Sequence, residues 1–278
     1  EQTEINDGRG VNGCVFLDCR HLGEKLINEK LSQIRNLGRD FANVDMVSEP
    51  VPIRPGMHYQ MGGIKTDVDG VTHIPGLYAA GETACVSVHG GNRLGANSLL
   101  DTLVFGRRSG EHASDYVRKR SHANITDKAG NRDRDNIQQM LARDGIEIFG
   151  KIRLEMGQTM DQHLAVFRDH RGMETALTKL RELSDRFDRV SVTDKGKIFN
   201  TNLIFTLELG FMLDCAEAIV VSALERKESR GAHTRTDMPN RIDKEWLKHI
   251  LVRQGSEGPH IDYLPVVITQ WEPEAREY

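Results

Sequence analysis

The strongest structural signal in this sequence is a glycine-rich stretch that runs directly into a predicted helix. Residues 81–98 contain four glycines, and the helix is expected to begin at Ser98. Glycine lets a backbone approach a flat ligand closely, and a helix N-terminus offers N–H groups to an anion. Arg93 adds a guanidinium whose planar donors match a carboxylate. The stretch predicts a site for an anion or cofactor, although an ordinary glycine-rich turn fits the spacing equally well.

Composition narrows the class of protein. The chain has 278 residues and a net charge of −4, which is enough for one large or two ordinary domains. No basic run is interleaved with aromatic residues, so nucleic acid is not expected as a partner, and no apolar run approaches the roughly 20 residues that span a bilayer. The cysteines lack paired metal-binding spacing, so we expect reduced thiols and no metal site. The chain starts without Met, which suggests a piece of a longer protein.

The first third of the chain is expected to mix short strands with helices. Residues 5–20 alternate between apolar and polar and predict a hairpin or short strands. Helical spacing over residues 21–42 predicts one or two helices interrupted near Gly38, and the prolines of residues 50–55 predict an extended connector. Three further short strands are expected, with a turn at Asp69-Gly70, over residues 64–66, 71–74 and 77–80.

Helices are expected to dominate the rest of the chain. The helix from Ser98 should end near Lys119, and the polar residues 121–135 are the best candidate for a domain boundary. Four segments with helical spacing then predict an antiparallel bundle, with apolar residues over 137–141, 152–167, 173–187 and 203–221. The tail predicts two short strands, at residues 246–252 and 263–269.

Two histidine-containing segments have alternative interpretations. His58 follows the proline connector in a glycine-bounded segment, where it can bind an anion or lie in a surface loop. Arg230, His233 and Arg235 lie beyond the last bundle helix. They can point toward the glycine-rich loop, or they can lie at the C-terminal end of a helix, where cations are favoured. The residues alone leave both pairs of alternatives open.

Three segments together resemble the flavoprotein subunits of succinate dehydrogenase and fumarate reductase. The first is His58-Tyr-Gln-Met-Gly-Gly, the second runs from Gly81 through the Asn-Ser-Leu-Leu-Asp that ends at Asp101, and the third is Ser229-Arg-Gly-Ala-His-Thr-Arg-Thr-Asp-Met-Pro. Their order and spacing match the family, and the resemblance extends over essentially the whole chain. It covers only the later half of such a subunit.

The resemblance implies a multidomain α+β or α/β architecture. Residues 1–57 would be the end of a capping domain, and residues 58–115 the returning part of a Rossmann-like FAD-binding domain. Residues 116–240 would form the helical domain, and residues 241–278 a small C-terminal segment. The dinucleotide fingerprint, the histidine bonded covalently to FAD and the arginine that shuttles the substrate proton lie upstream in the family. The resemblance therefore implies no catalytic residue within this chain.

The resemblance also assigns roles to individual residues. His58 and Arg93 resemble the pair that grips the substrate carboxylates, and Ala96 would line the same pocket. Glu82 would bind the FAD ribose, and the backbone of Ser98 and Leu99 would lie at the flavin ring. Succinate oxidation moves a hydride to flavin and a proton to a base, so fixed cations on the carboxylates would act by positioning the substrate.

Partners and location follow from the same resemblance. Succinate or fumarate would be the substrate, and electrons would pass from FAD to an iron–sulfur subunit and on to quinone through membrane-anchor subunits. The chain would lie peripherally on the cytoplasmic face of a bacterial or archaeal inner membrane. Two alternatives remain: a fragment that supplies pocket and partner surface without FAD or activity, and a flavoenzyme similar to L-aspartate oxidase. The direction of the reaction depends on redox potential and quinone, which lie outside the sequence.

Overall fold

The computed structural model describes residues 1–122, 126 and 128–274 of the chain. These residues form two compact units, of which the first is Glu1–His58 and the second contains the described residues from Tyr59 onward. Each unit buries its own cluster of apolar side chains. The glycine-rich loop predicted from the sequence belongs to the second unit.

The first unit combines helices with a two-stranded antiparallel sheet. Helix α1 (Gln2–Asn6) precedes strand β1 (Val15–Leu17), and helices α2 (Gly23–Lys30) and α3 (Ser32–Ala42) lead to strand β2 (Val51–Ile53). Val15 lies opposite Ile53 in the sheet. The buried core of this unit consists of Cys19, Ile27, Met46 and Val51.

The break between α2 and α3 lies at Leu31, so the predicted interruption near Gly38 is wrong. Gly38 is buried inside α3, where an added Cβ would lie 3.0 Å from the carbonyl oxygen of Val44. Here glycine allows the returning chain to pass close to the helix. The helix instead ends at Ala42 and is followed by Asn43, which has a left-handed φ of 54°.

The second unit begins with a small parallel sheet. Strand β3 (Ile64–Lys65) pairs with strand β4 (Ala84–Cys85). The other two strands predicted before the loop are not formed, because residues 67–79 fold back on themselves in turns. Val71 and Tyr78 make a single isolated bridge there. Too few residues face each other in this segment to extend a strand ladder.

Helix α4 (Asn97–Arg118) begins one residue before the predicted start. It follows Ala96, which has a left-handed φ of 65° and makes no side-chain capping bond. Arg108 Nε donates to the carbonyl of Val68 at 2.7 Å, and its Nη2 lies 2.8 Å from a carboxylate oxygen of Asp69. These bonds tie the turn-rich segment to the outer part of α4.

The helices predicted for the later part of the chain are present. They are α5 (Asn131–Ala142), α6 (Phe149–Leu164), α7 (His170–Phe187) and α8 (Thr201–Glu225). Asp169 caps α7 by accepting from Gly172 N–H at 2.9 Å, and Asn200 caps α8 through Leu203 N–H at 2.8 Å. The main core lies among α6, α7 and α8, with buried side chains that include Ile152, Met156, Met173, Leu180, Leu183, Leu209, Leu213 and Val220.

The predicted polar linker is only partly within the described residues. Residues 123–125 and 127 lie outside them, and residues 131–135 belong to α5 instead of a linker. The prediction of a linker over all of 121–135 is therefore wrong at its end. Charged side chains made the first turns of α5 resemble a linker in the sequence.

The C-terminal part forms a hairpin that is fixed to the helical core. Strand β5 (Phe167–Arg168) pairs in parallel with β6 (Thr234–Arg235), and a short helix α9 (Asp243–Trp246) follows. Strands β7 (Lys248–Gly255) and β8 (Gly258–Pro265) are antiparallel. Strand β8 starts five residues before the predicted start of the second strand. Arg226, directly after α8, donates to the carbonyls of Trp246 and Lys248 at 2.9 and 2.7 Å.

Candidate functional site

The glycine-rich loop lies between a tight turn and helix α4. Residues Gly81–Thr83 form a single 3-10 turn that packs on α4. Gly81 has a φ of 77°, and an added Cβ would lie 3.4 Å from the hydroxyl of Thr102. After β4 the chain continues without regular structure over residues 86–96 until α4 begins. The loop predicted from the sequence is therefore present, and it lies against the start of a long helix.

The segment that follows His58 runs beside this loop. Gly63 has a φ of 121°, and a Cβ there would lie 2.5 Å from the carbonyl oxygen of Thr83. The backbone N–H of Gln60 donates to Glu82 Oε1 at 2.8 Å. Because the two backbones touch, Tyr59 is placed over the loop.

The Arg93 guanidinium lies over the ring of Tyr59. Its Cζ is 4.6 Å from the ring centroid, within the range of a cation–π contact. Its Nη1 donates to the carbonyl of Leu94 at 2.9 Å, and its Nε is buried with no hydrogen-bond partner among the described residues. A buried donor without an acceptor is unfavourable. The arrangement therefore suits a ligand that brings an oxygen atom to Arg93.

A buried carboxylate holds Tyr59 in place. Asp101 is 4% exposed, and its Oδ2 lies 3.2 Å from the Tyr59 hydroxyl and 3.0 Å from His89 Nε2. Burial, together with the negative charge of Asp101, raises the pKa of Tyr59, so the phenol stays protonated and donates to the carboxylate. His89 Nδ1 is also buried without a partner in the described part of the chain.

Tyr59, His89 and Asp101 are functional residues that the sequence patterns did not indicate. Each of them lies within a quoted motif: Tyr59 follows His58, His89 precedes the double glycine, and Asp101 ends Asn-Ser-Leu-Leu-Asp. An aspartate near the start of a helix usually faces solvent. The burial of Asp101, which brings its carboxylate to Tyr59 and His89, cannot be recognised from the sequence pattern.

The residues predicted to contact a flavin lie at the two ends of the loop. Glu82 and Ala96 are exposed, Ser98 is half-buried, and Leu99 is 70% exposed. Helix α4 starts without a side-chain cap. Two of its first N–H groups donate to nearby carbonyls, Asn97 to Leu94 at 3.2 Å and Leu99 to Ala96 at 3.1 Å, and the other N–H groups of the first turn are the donors for an anion or a carbonyl oxygen. These donors, with the carboxylate of Glu82, fit a polar ring system with attached hydroxyl groups. The individual contacts of Glu82, Ala96, Ser98 and Leu99 stay predictions.

His58 is the exposed last residue of the first unit. Arg93 and the other predicted site residues belong to the second unit. The predicted grip of His58 and Arg93 on one ligand therefore stays a prediction.

The charged side chains of the motif around residue 230 pair with neighbours of their own. Arg230 bonds to the buried Glu228 and to Asp243 at 2.6 Å each, and Arg235, which is 1% exposed, bonds to Asp237 at 2.6 Å. It is the backbone of this motif that meets the loop, because the N–H of Ala232 donates to the carbonyl of Gly91 at 2.9 Å.

His233 in this motif is held as a neutral imidazole. Arg168 Nη1 lies 3.0 Å from its Nδ1, and a guanidinium has only donors, so Nδ1 must accept. Its Nε2 faces the carbonyl of Arg226 at 3.4 Å. Burial and the charge of Arg168 lower the pKa of His233 to about 4. The ring therefore carries no charge at neutral pH.

In the part of the chain that the structure describes, no three His, Cys, Asp or Glu side chains are grouped so that they could hold a metal ion. Over the same residues, no helix combines the length and the apolar character needed to cross a bilayer.

Family models match most of the chain. Residues 1–99 match the FAD binding domain, and residues 153–278 match the C-terminal domain of the fumarate reductase flavoprotein. The first match, together with the relatives below, confirms the prediction of FAD as the cofactor.

Curated relatives match the chain along nearly its whole length. The fumarate reductase flavoprotein subunit of Mycobacterium tuberculosis is 45% identical over 99% of this chain and 49% of its own length. That of Escherichia coli is 43% identical over 95% of this chain and 45% of its own. The succinate dehydrogenase flavoprotein subunit of Rickettsia conorii is 39% identical over 96% of this chain and 47% of its own length. The chain thus spans about half the length of these relatives.

Solved structures agree with the sequence relatives. An E. coli quinol fumarate reductase has a TM-score of 0.93 at 40% identity, over 98% of this chain and 48% of that one. The Mycobacterium smegmatis Sdh1 complex has a TM-score of 0.82 at 31% identity, over 97% of this chain and 46% of that one. An adenylylsulfate reductase from Archaeoglobus fulgidus, at 19% identity and a TM-score of 0.73, shares the fold alone. The α+β class is confirmed, and the chain belongs to the family of fumarate reductase and succinate dehydrogenase flavoprotein subunits.

Proposed function

We propose that this chain carries the dicarboxylate-binding part of a flavoenzyme that interconverts succinate and fumarate. One observation carries the proposal: Arg93 is held over Tyr59 with a buried Nε that has no partner among the described residues. This group lies in a loop that leads into the uncapped start of α4. The names of the relatives, fumarate reductase and succinate dehydrogenase flavoprotein subunits, support the choice of substrate.

Arg93 binds one carboxylate of the substrate through its guanidinium. The cation–π contact and the bond to the Leu94 carbonyl limit its rotation. Asp101 limits the rotation of Tyr59 in turn. His58 binds the other carboxylate, and Ala96 lines the pocket. An enzyme that fixes both ends of a substrate gains rate by orienting the reacting C–H bond.

The start of α4 and the turn at Glu82 hold the cofactor. Glu82 accepts hydrogen bonds from ribose hydroxyls, and the backbone of Ser98 and Leu99 lies at the flavin ring. FAD, when bound, supplies the hydride acceptor, while the proton from the neighbouring carbon goes to a base outside this sequence. The N-terminal end of α4 stabilises negative charge that develops nearby.

The proposal extends to the domains and partners. Residues 1–57 are the end of a capping domain, residues 58–115 the returning part of the FAD-binding domain, residues 116–240 the helical domain, and residues 241–278 the C-terminal segment. Electrons leave for an iron–sulfur subunit and then quinone through membrane-anchor subunits, and the chain is peripheral at the cytoplasmic face of the inner membrane. A solved quinol-fumarate reductase with menaquinol molecules supports the quinone step.

The test replaces Arg93 in the protein produced from its own gene with its native partners. Arg93→Gln removes the charge and keeps a polar side chain. The charged hydrogen bond that is lost contributes about 3 kcal/mol, so kcat/KM for succinate should fall by about 100-fold. Flavin absorbance per polypeptide should stay unchanged. Activity is measured with succinate, fumarate and L-aspartate.

The matched control is Arg107→Gln on α4, where the arginine is exposed and bonds to Glu111. This variant should keep the activity of the parent protein. Unchanged succinate turnover in Arg93→Gln would refute the assignment of Arg93. A protein that turns over L-aspartate but not succinate, or one without flavin, would refute the proposed reaction.

A further inference from the structure

We propose that His249, in the C-terminal hairpin, is a positioning residue that fixes the glycine-rich loop and thereby the Arg93 guanidinium. His249 is 156 residues away from Arg93 in the sequence, and none of the three family motifs contains it. The proposal rests on the function proposed for Arg93. It adds a tertiary contact on which substrate affinity depends.

The first support is the backbone of Ser87. This residue has a φ of 76°, a left-handed conformation that residues other than glycine seldom adopt. Such a conformation persists only where surrounding contacts hold it. The contact present is a hydrogen bond of 2.7 Å between Ser87 Oγ and His249 Nε2.

The second support is the rigidity of His249 itself. It lies on β7 opposite Leu264 of β8, and the start of β7 is bonded through Arg226 to the end of α8. Burial and the charge of Arg226 lower the pKa of His249, so the imidazole is neutral at pH 7. The group that holds Ser87 is therefore attached to the main helical core.

The third support is a second anchor on the same loop. The N–H of Ala232 donates to the Gly91 carbonyl at 2.9 Å. An added Cβ on Gly231 would lie 2.2 Å from the Gly91 carbonyl, so the two backbones are in direct contact. Gly231 also has a φ of 57°, and any side chain there would be both strained and obstructed.

The two anchors determine where the ligand-binding groups point. Ser87 and Gly91 enclose His89, and Arg93 follows Gly91 by two residues. A loop held at both positions has little freedom to move the Arg93 guanidinium off the Tyr59 ring. Loss of the first anchor leaves the backbone of Ser87 free to leave its strained conformation, which moves the loop that carries Arg93.

The experiment measures affinity for malonate, a dicarboxylate that cannot be dehydrogenated, together with KM and kcat for succinate. The protein is produced from its own gene with its native partners. His249→Ala should raise the malonate Kd and the succinate KM by about tenfold. The thermal midpoint and flavin content should stay close to those of the parent. His249→Gln, whose side-chain amide can still bond Ser87, should restore most of the affinity.

A double-mutant cycle separates positioning from general damage. Ser87→Ala should raise the malonate Kd as His249→Ala does, and the double variant should be no worse than either single one. His260→Ala is the matched control, because His260 lies on β8 with a side chain that is 68% exposed. It should bind malonate as the parent does.

Three results would overturn the inference: unchanged malonate affinity in both His249→Ala and Ser87→Ala, additive effects in the double variant, or an equal loss in His260→Ala. If His249→Ala does not fold, Ser87→Ala and His249→Gln decide the matter by the same measurement. Arg93→Gln distinguishes this failure from failure of the proposed function. Lost malonate binding in Arg93→Gln, with normal binding in the His249 and Ser87 variants, refutes the positioning role alone, and normal binding in Arg93→Gln refutes the anion site.

Discussion

The helical core and the glycine-rich loop are stabilised in opposite ways. In the core, Leu180, Leu183 and Leu209 are at most 1% exposed and contact other apolar side chains. Around the loop the buried groups are polar, with Asp101 4% exposed and Arg93 Nε buried without a partner among the described residues. Burial of apolar side chains is non-directional and stabilises the fold. Buried polar groups instead fix the orientation of the side chains that they bond.

Because the two regions are stabilised differently, stability and binding should respond to different substitutions. Deleting core volume should lower the free energy of unfolding and leave the affinity of folded molecules unchanged. Altering the loop should change affinity more than stability. The three variants below test that separation in order of decreasing expected effect.

The largest effect is expected for Leu180→Ala in α7. Leu180 is 1% exposed, and leucine-to-alanine changes at such positions cost about 2–5 kcal/mol of unfolding free energy. Urea denaturation measures this loss, with Leu154→Ala as the control because Leu154 on α6 is 62% exposed. A loss below about 1 kcal/mol would contradict the assignment of this cluster as the main core.

A smaller effect, on affinity, is expected for Tyr59→Leu. Removal of the ring deletes the cation–π contact with Arg93, worth about 1 kcal/mol or roughly fivefold in the malonate Kd. Tyr59→Phe keeps the ring and loses the contacts of the hydroxyl with Asp101 and His89, so its effect should be smaller. Tyr116→Leu is the matched control, because Tyr116 carries an equivalent contact with Arg120 at 4.4 Å. Equal losses in Tyr59→Leu and Tyr116→Leu would break the comparison.

The smallest effect is expected for His233, which lies in the motif that meets the loop. Its pKa is lowered to about 4 in the folded protein, so the unfolded chain binds more protons between about pH 4 and 6.5. Stability should therefore fall as the pH falls through this range. From pH 7 to pH 6 the contribution of His233 is below about 1 kcal/mol.

His233→Gln should flatten this part of the pH profile, since glutamine can still accept from Arg168 and does not titrate. Denaturation at pH 7 and pH 6 measures the difference between variant and parent. Glu155 and Asp237, whose pKa values are lowered to about 2, affect stability mainly below about pH 4.5, outside the interval from pH 6 to pH 7 that is measured. An identical slope in variant and parent would show that His233 does not titrate as its burial requires.

Periodicity and motifs determined much of the molecule. The spacing of apolar residues predicted α6, α7 and α8, because a helix that buries one face repeats its apolar residues every three or four positions. The glycine-rich stretch predicted a loop that enters a helix near Ser98, and the three motifs predicted the family and FAD. Gly38 shows the limit: a local rule interprets glycine as a helix break, although its effect depends on what passes beside it.

Only the tertiary structure decided which polar groups meet. Tyr59, His89 and Asp101 come together because the backbone at Gly63 crosses the turn at Thr83, a contact between segments that share no periodic pattern. The bond from Ser87 to His249 joins residues 162 positions apart. Sequence patterns record the face that each element buries. They do not record which distant element covers it, because that choice depends on the packing of the whole chain.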